Sequence, residues 1–133
     1  MAHYVDTSAL VKLVVAEAET PALRAWLGEQ SRDPVTSDLT RTELVHAVRR
    51  VAPDRVVAAR DVLDALTILS LSAHTFDSAA TLAPSALRSL DAVHLASALT
   101  LGDDLDAIVS YDDRLSTAAT ALGVRALAPG AQS

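Results

Sequence analysis

Apolar positions along the 133 residues follow two rhythms that take turns. Short apolar runs at 2–5 (AHYV, stopped by Asp6) and 34–37 (PVTS) predict strands. Residues 68–71, 107–110 (AIVS) and 124–127 predict three more. Between these runs apolar residues recur every three or four positions. Leu44, Val48 and Val51 form such a stripe over 39–51, and Val56, Val57, Leu63 and Leu66 follow behind Pro53, a residue suited to a helix start. Further helices are predicted over 8–17, 19–30, 75–83, 88–101 and 113–122, the last two closed by Gly102 and Gly123. Strands interleaved with helices predict a short parallel sheet covered on both faces, an α/β fold in three layers, α/β/α. No repeat or linker interrupts the pattern, so 1–133 is expected to form a single domain.

Composition narrows the function classes. Half the residues are apolar and a fifth are charged, which favours a packed core over disorder. With no cysteine, a disulfide scaffold, a thiolate zinc site and a cysteine nucleophile are all excluded. The longest apolar run, Ala9 to Ala16, is interrupted by Lys12, and no stretch approaches the roughly 20 residues of a membrane helix. The opening Met1-Ala2-His3-Tyr4 lacks the basic start of a signal peptide, so a cytoplasmic, membrane-free protein is expected. Eleven basic against 17 acidic residues leave a net charge of −6, which argues against a broad nucleic-acid-binding stripe. A nucleic-acid substrate reached through metal ions and a few arginines is still compatible. The aromatics are Tyr4, Trp26, Phe76 and Tyr111, few for stacking bases.

Topology brings four acids together. Asp6 directly follows the first strand, and Asp112 follows the fourth. In an open α/β sheet the ligand crevice lies beyond the carboxyl ends of the strands. Glu43 lies near the start of the helix after strand two, and Asp91 in the first turn of the helix that feeds strand four. Both helices must begin at that same edge. Two like charges ~4 Å apart repel by about 4 kcal/mol at an effective dielectric near 20. One or two Mg²⁺ or Mn²⁺ ions would resolve the conflict, since hard cations take oxygen ligands. The helix N-termini at Glu43 and Asp91 should favour the ionised forms. Each acid alone also has a structural reading. Asp6 or Ser8 can cap a helix, as can Asp112 or Asp113. Thr40-Arg41-Thr42-Glu43 fits a capping box. Asp91 can pair with Arg88 on a helix surface.

These acids sit in recognisable motifs. Val5-Asp6-Thr7-Ser8-Ala9-Leu10 resembles the opening motif of PIN-domain ribonucleases. Thr42-Glu43-Leu44 resembles their second motif, Leu90-Asp91-Ala92-Val93-His94-Leu95-Ala96 the third, and Val109-Ser110-Tyr111-Asp112-Asp113-Arg114-Leu115 the fourth. Each is short; the four in order, across nearly the whole chain, are specific. The nearest subgroup is the VapC toxins of type II toxin–antitoxin modules. The resemblance implies strand order 3-2-1-4-5 and Mg²⁺- or Mn²⁺-dependent cleavage of RNA phosphodiesters. It implies a site of Asp6, Glu43, Asp91 and Asp112, with Asp6 and Asp91 as the main metal ligands and Ser8 and Ser110 as supporting hydroxyls. Ser110 stands where a threonine is common, and Asp113 is an extra acid beside Asp112. The resemblance further implies a VapB-type antitoxin partner and a homodimer.

Other classes fit less well. His46 and His94 follow Glu43 and Asp91 at i+3, a spacing used by di-iron helical bundles, but the strand signals and only four glutamates oppose that fold. A packed or surface histidine is the expectation for both. Haloacid-dehalogenase-type phosphatases want a second aspartate where Ser8 stands, and a receiver domain wants a late lysine, whereas Lys12 is early. A PIN-like binding module without turnover is the main alternative. Leu10, Leu13, Val14, Leu23, Trp26 and Leu27 would line its groove for a partner helix, although ordinary core is the expectation for most of them. Arg41, Arg49, Arg50, Arg88 and Arg114 are candidate phosphate contacts or solvated surface groups. The acidic turn Gly102-Asp103-Asp104-Leu105-Asp106 is expected to be solvated.

Overall fold

Five parallel strands form the middle layer of the computed structural model, which describes residues 1–131. They are β1 (Ala2–Val5), β2 (Pro34–Ser37), β3 (Thr67–Leu69), β4 (Leu105–Val109) and β5 (Ala126–Leu127), in the order β3-β2-β1-β4-β5. Seven helices connect them: α1 (Thr7–Val14), α2 (Thr20–Leu27), α3 (Asp38–Val51), α4 (Val56–Asp64), α5 (Ala73–Ala80), α6 (Ser89–Leu99) and α7 (Asp113–Ala121).

Side-chain alternation along the strands sorts these helices into two layers. Val5 and Val109 point to one face and pack with Leu10 of α1, Leu23 of α2, Leu44 and Val48 of α3, and Leu63 of α4. Tyr4 and Ile108, one residue earlier on the same strands, point to the other face and pack with Leu95 of α6 and Leu115 of α7. Each such fully buried aliphatic side chain contributes about 1.5–3 kcal/mol by leaving water. Leu10, Val14 and Leu23 belong to this core, with Leu13, Trp26 and Leu27 partly buried against it, so the groove sketched for a partner helix is mostly filled interior. In α6 the residues from Ala92 to Ala98 are all buried, as the helix lies between α5, α7 and the sheet.

The predicted elements are found with shifted ends. Helix 8–17 stops at Val14, because Thr20 Oγ1 donates to the Lys12 carbonyl (2.8 Å) and turns the chain into α2. That turn also places Glu17 and Glu19 on the ammonium of Lys12, at 2.6 and 3.1 Å, and the ammonium lies 4.7 Å from the Tyr111 ring centre. The only lysine in the sequence is thereby buried. The last strand is half its predicted length, since residues 124–125 belong to the connection from α7. The capping box proposed for Thr40 and Glu43 does not form: α3 starts at Asp38, and Thr40 Oγ1 instead pairs with Thr36 Oγ1 at 2.7 Å. The acidic turn 102–106 is only partly solvated. Its Asp106 lies in β4, where His3 and Arg125 both donate to Oδ2 at 2.9 Å.

Candidate active site

The strand order reverses direction between β1 and β4, and chain leaving one neighbour heads away from chain leaving the other. This opens a crevice at the carboxyl edge. Asp6 stands at its floor. It is 4 % exposed, its backbone N–H donates to the Val109 carbonyl at 3.1 Å, and its side chain caps α1 through Ala9 N–H. Two hydroxyls hold the carboxylate: Ser8 donates to Oδ1 at 2.5 Å and Ser110 to Oδ2 at 3.0 Å. Burial pushes the Asp6 carboxyl above its usual value, and the Ser8 bond, the His94 charge and the Ser110 bond oppose that only in part. The same two serines stitch the loop above: Tyr111 N–H donates to Ser8 and Asp112 N–H to Ser110.

Glu43, in the second turn of α3, is half-buried. Its Oε1 accepts from Thr7 Oγ1 at 2.7 Å and from His94 Nε2 at 2.5 Å. Burial alone would raise this carboxyl, but the bonds and charge of His94 and the bond from Thr7 outweigh it, and the group lies below its usual value. His94 is 3 % exposed, and its Nδ1 lies 2.8 Å from the Tyr4 hydroxyl, which donates to Ser37 Oγ at 2.9 Å.

Asp91 and Asp112 form the outer half. Asp112 is the N-cap of α7, its Oδ1 accepting from Arg114 and Leu115 N–H at 2.9 and 3.4 Å. Asp91 accepts no hydrogen bond among the described residues. Burial and then the charge of Asp112 push its carboxyl above the usual value, against the pull of His94 and Arg88, while Glu43 adds to the push. The α6 N-terminus is expected to favour ionised Asp91, yet burial and the Asp112 charge still hold its carboxyl above the usual value. Asp112 is half-buried and Asp113 exposed, so the acid acting on Asp91 is Asp112.

Four carboxylates supplied by β1, α3, α6 and the β4–α7 junction therefore adjoin one crevice, with no lysine among them. Among the described residues no three are gathered at ligand distances. The donor chemistry nevertheless fits a hard divalent cation. The donors are all oxygen, Glu43 Oε2 and Asp112 Oδ2 accept no bond among the described residues, and Asp6 and Asp91 are both held in environments that penalise uncompensated negative charge. Sequence reasoning had not identified the roles of Tyr4, Thr7 or His94 here. For His94 the available signal was its position one turn after Asp91, on the same face of the same helix. His46 is exposed, as are Arg41, Arg49, Arg50, Arg88 and Arg114.

A β3-β2-β1-β4-β5 sheet with acids at its switch point fits the PIN class of α/β domain. A family model described as the PIN domain matches residues 3–121. Ribonuclease VapC47 of Mycobacterium tuberculosis is 45% identical over 132 residues, covering 96% of this chain and 97% of that protein. Ribonuclease VapC35 of the same organism is 45% identical over 130 residues, 96% of each. The chain belongs to the PIN-domain family and, within it, to the VapC ribonucleases. Two solved structures share the fold. One is VapC20 of M. tuberculosis, described as a sarcin-ricin loop cleaving toxin, with TM-score 0.71, 18% identity, and 88% and 95% of the two chains covered. The other is VapBC2 of Rickettsia felis bound to a DNA fragment from its promoter, with TM-score 0.71, 12% identity, and 97% and 99% covered.

Proposed function

We propose that this chain is the endoribonuclease toxin of a VapBC pair, hydrolysing RNA phosphodiesters with Mg²⁺ or Mn²⁺ held by Asp6 and Asp91 and completed by Glu43 and Asp112. The observation that carries this reading is a buried carboxylate, Asp6, and an unbonded one, Asp91, both raised by burial, with His94, and Arg88 at Asp91, offsetting it only in part and no stronger positive partner among the described residues. A bound divalent cation would supply that partner, acidify water and screen charge on the phosphate. Ser8 and Ser110 fix the direction of both Asp6 oxygens. Asp112 is anchored through Oδ1 to the start of α7, and its other oxygen accepts no bond among the described residues. No histidine or lysine base is needed.

The relatives' names support RNA as the substrate, and the Rickettsia felis VapBC structure supports a VapB-type antitoxin as the partner. A homodimer, a single PIN unit spanning the chain and a cytoplasmic location complete the proposal. Among the described residues no helix is long and apolar enough to cross a membrane. The test is controlled expression of the wild-type and Asp6→Ala chains with mapping of cleaved RNA ends, followed by assay of the purified proteins with Mg²⁺ and with chelator. Cuts present only in the wild type, and only with the metal, are expected. Retained metal-dependent cleavage by Asp6→Ala would refute the assignment.

A further inference from the structure

A carboxylate that ligates a cation through one oxygen is oriented by hydrogen bonds to the other. Glu43 is held in this way. Both hydrogen bonds to it converge on Oε1, one from Thr7 at the start of α1 and one from His94 inside α6. The donors come from two elements, α1 and α6, and their atoms lie 3.5 Å apart, so both restrain the same oxygen. His94 is itself fixed. It is fully enclosed in α6, its ring meets the Tyr4 ring edge-on at 5.9 Å, and its Nδ1 lies against the Tyr4 hydroxyl. Tyr4 in turn is 0 % exposed and tied to Ser37 at the end of β2. A relay of buried side chains thus runs from the sheet interior to one oxygen of Glu43.

We infer that His94 and Thr7 are positioning residues that hold Oε1 of Glu43 and so commit Oε2 to a divalent cation. This role rests on the metal-site reading above. Partners that orient a ligating carboxylate commonly change metal affinity 10–100-fold when removed.

Calorimetric titration of the whole protein with Mn²⁺ alone, without RNA, tests the role by a readout separate from turnover. His94→Phe keeps a ring of similar size but removes both nitrogens, and is expected to weaken Mn²⁺ binding about 10–100-fold. His94→Gln restores an N–H donor near the Nε2 position and should return the dissociation constant towards that of the wild type. Should His94→Phe fail to fold, Thr7→Val, which changes a half-buried side chain at the crevice, should weaken binding in the same direction. Wild-type affinity in a folded His94→Phe, or in Thr7→Val when that variant is the one available, overturns the role while leaving the metal reading intact. A wild-type protein that takes up no Mn²⁺ overturns both. Uptake lost in Asp6→Asn but unchanged in the positioning variants overturns this role alone.

Discussion

The two halves of the crevice are built on opposite principles. Asp6 is enclosed and Glu43 half-buried, and both are held by serine, threonine and histidine side chains, at distances from 2.5 to 3.0 Å. Asp91 and Asp112 are half-exposed; one accepts no hydrogen bond among the described residues, and the other is committed to a helix end. The inner half fixes geometry, and the outer half leaves charge free to respond to what arrives. The largest test of this contrast is Asp6→Asn. It should lower RNA cleavage by at least about 100-fold, the scale on which a charge-stabilising group matters. The same variant should raise the urea midpoint of the metal-free protein, because it removes a buried charge while asparagine still caps α1.

Cation binding should show the next largest effect. At a concentration 100 times its dissociation constant, Mn²⁺ should stabilise the wild type by about 2.7 kcal/mol and Asp6→Asn hardly at all, read by thermal unfolding. Asp112→Ala should cost about 1 kcal/mol through the lost cap of α7. Asp112→Asn should recover that stability without recovering cleavage, which separates its two duties. Asp91→Asn should move stability by no more than about 0.5 kcal/mol, and upwards, since it relieves repulsion and breaks no bond.

Acid titration sharpens the contrast. Asp6 and Asp91 have raised carboxyls, so the native state binds more protons than the unfolded chain just above 3.8, and their contribution to stability falls as pH rises through that window. Glu43 has a lowered carboxyl, so its contribution is present above 4.5 and is lost as pH falls through the native value. Metal-free urea midpoints between about pH 4 and pH 8 should therefore gain a steeper acid-side loss in Asp6→Asn, where an opposing term has gone.

Much of this arrangement was legible in the sequence. The alternation of strands and helices led to the layered sheet, and the ends of β1 and β4 placed Asp6 and Asp112 at one edge. The start of α6 placed Asp91 there too, because a helix feeding a parallel strand through a short loop must begin at the opposite end. What stayed hidden depends on side chains reaching across layers. Glu43 matched a capping box locally, but Thr40 is drawn to Thr36, and Glu43 is drawn to residues 36 and 51 positions away. The bonding of His94 to Tyr4 joins β1 to α6 across 90 residues, beyond the reach of any periodicity. Element ends were missed where a hydroxyl redirected the backbone, as Thr20 does after α1.

Lys12, pinned between two glutamates and a tyrosine ring, has a practical corollary. Ten arginines supply the remaining cationic side chains, so no lysine amine faces solvent. Reagents and enzymes that modify lysine therefore meet a nearly inert surface, and the rate at which Lys12 is acylated becomes a built-in gauge of how often the α1–α2 turn opens.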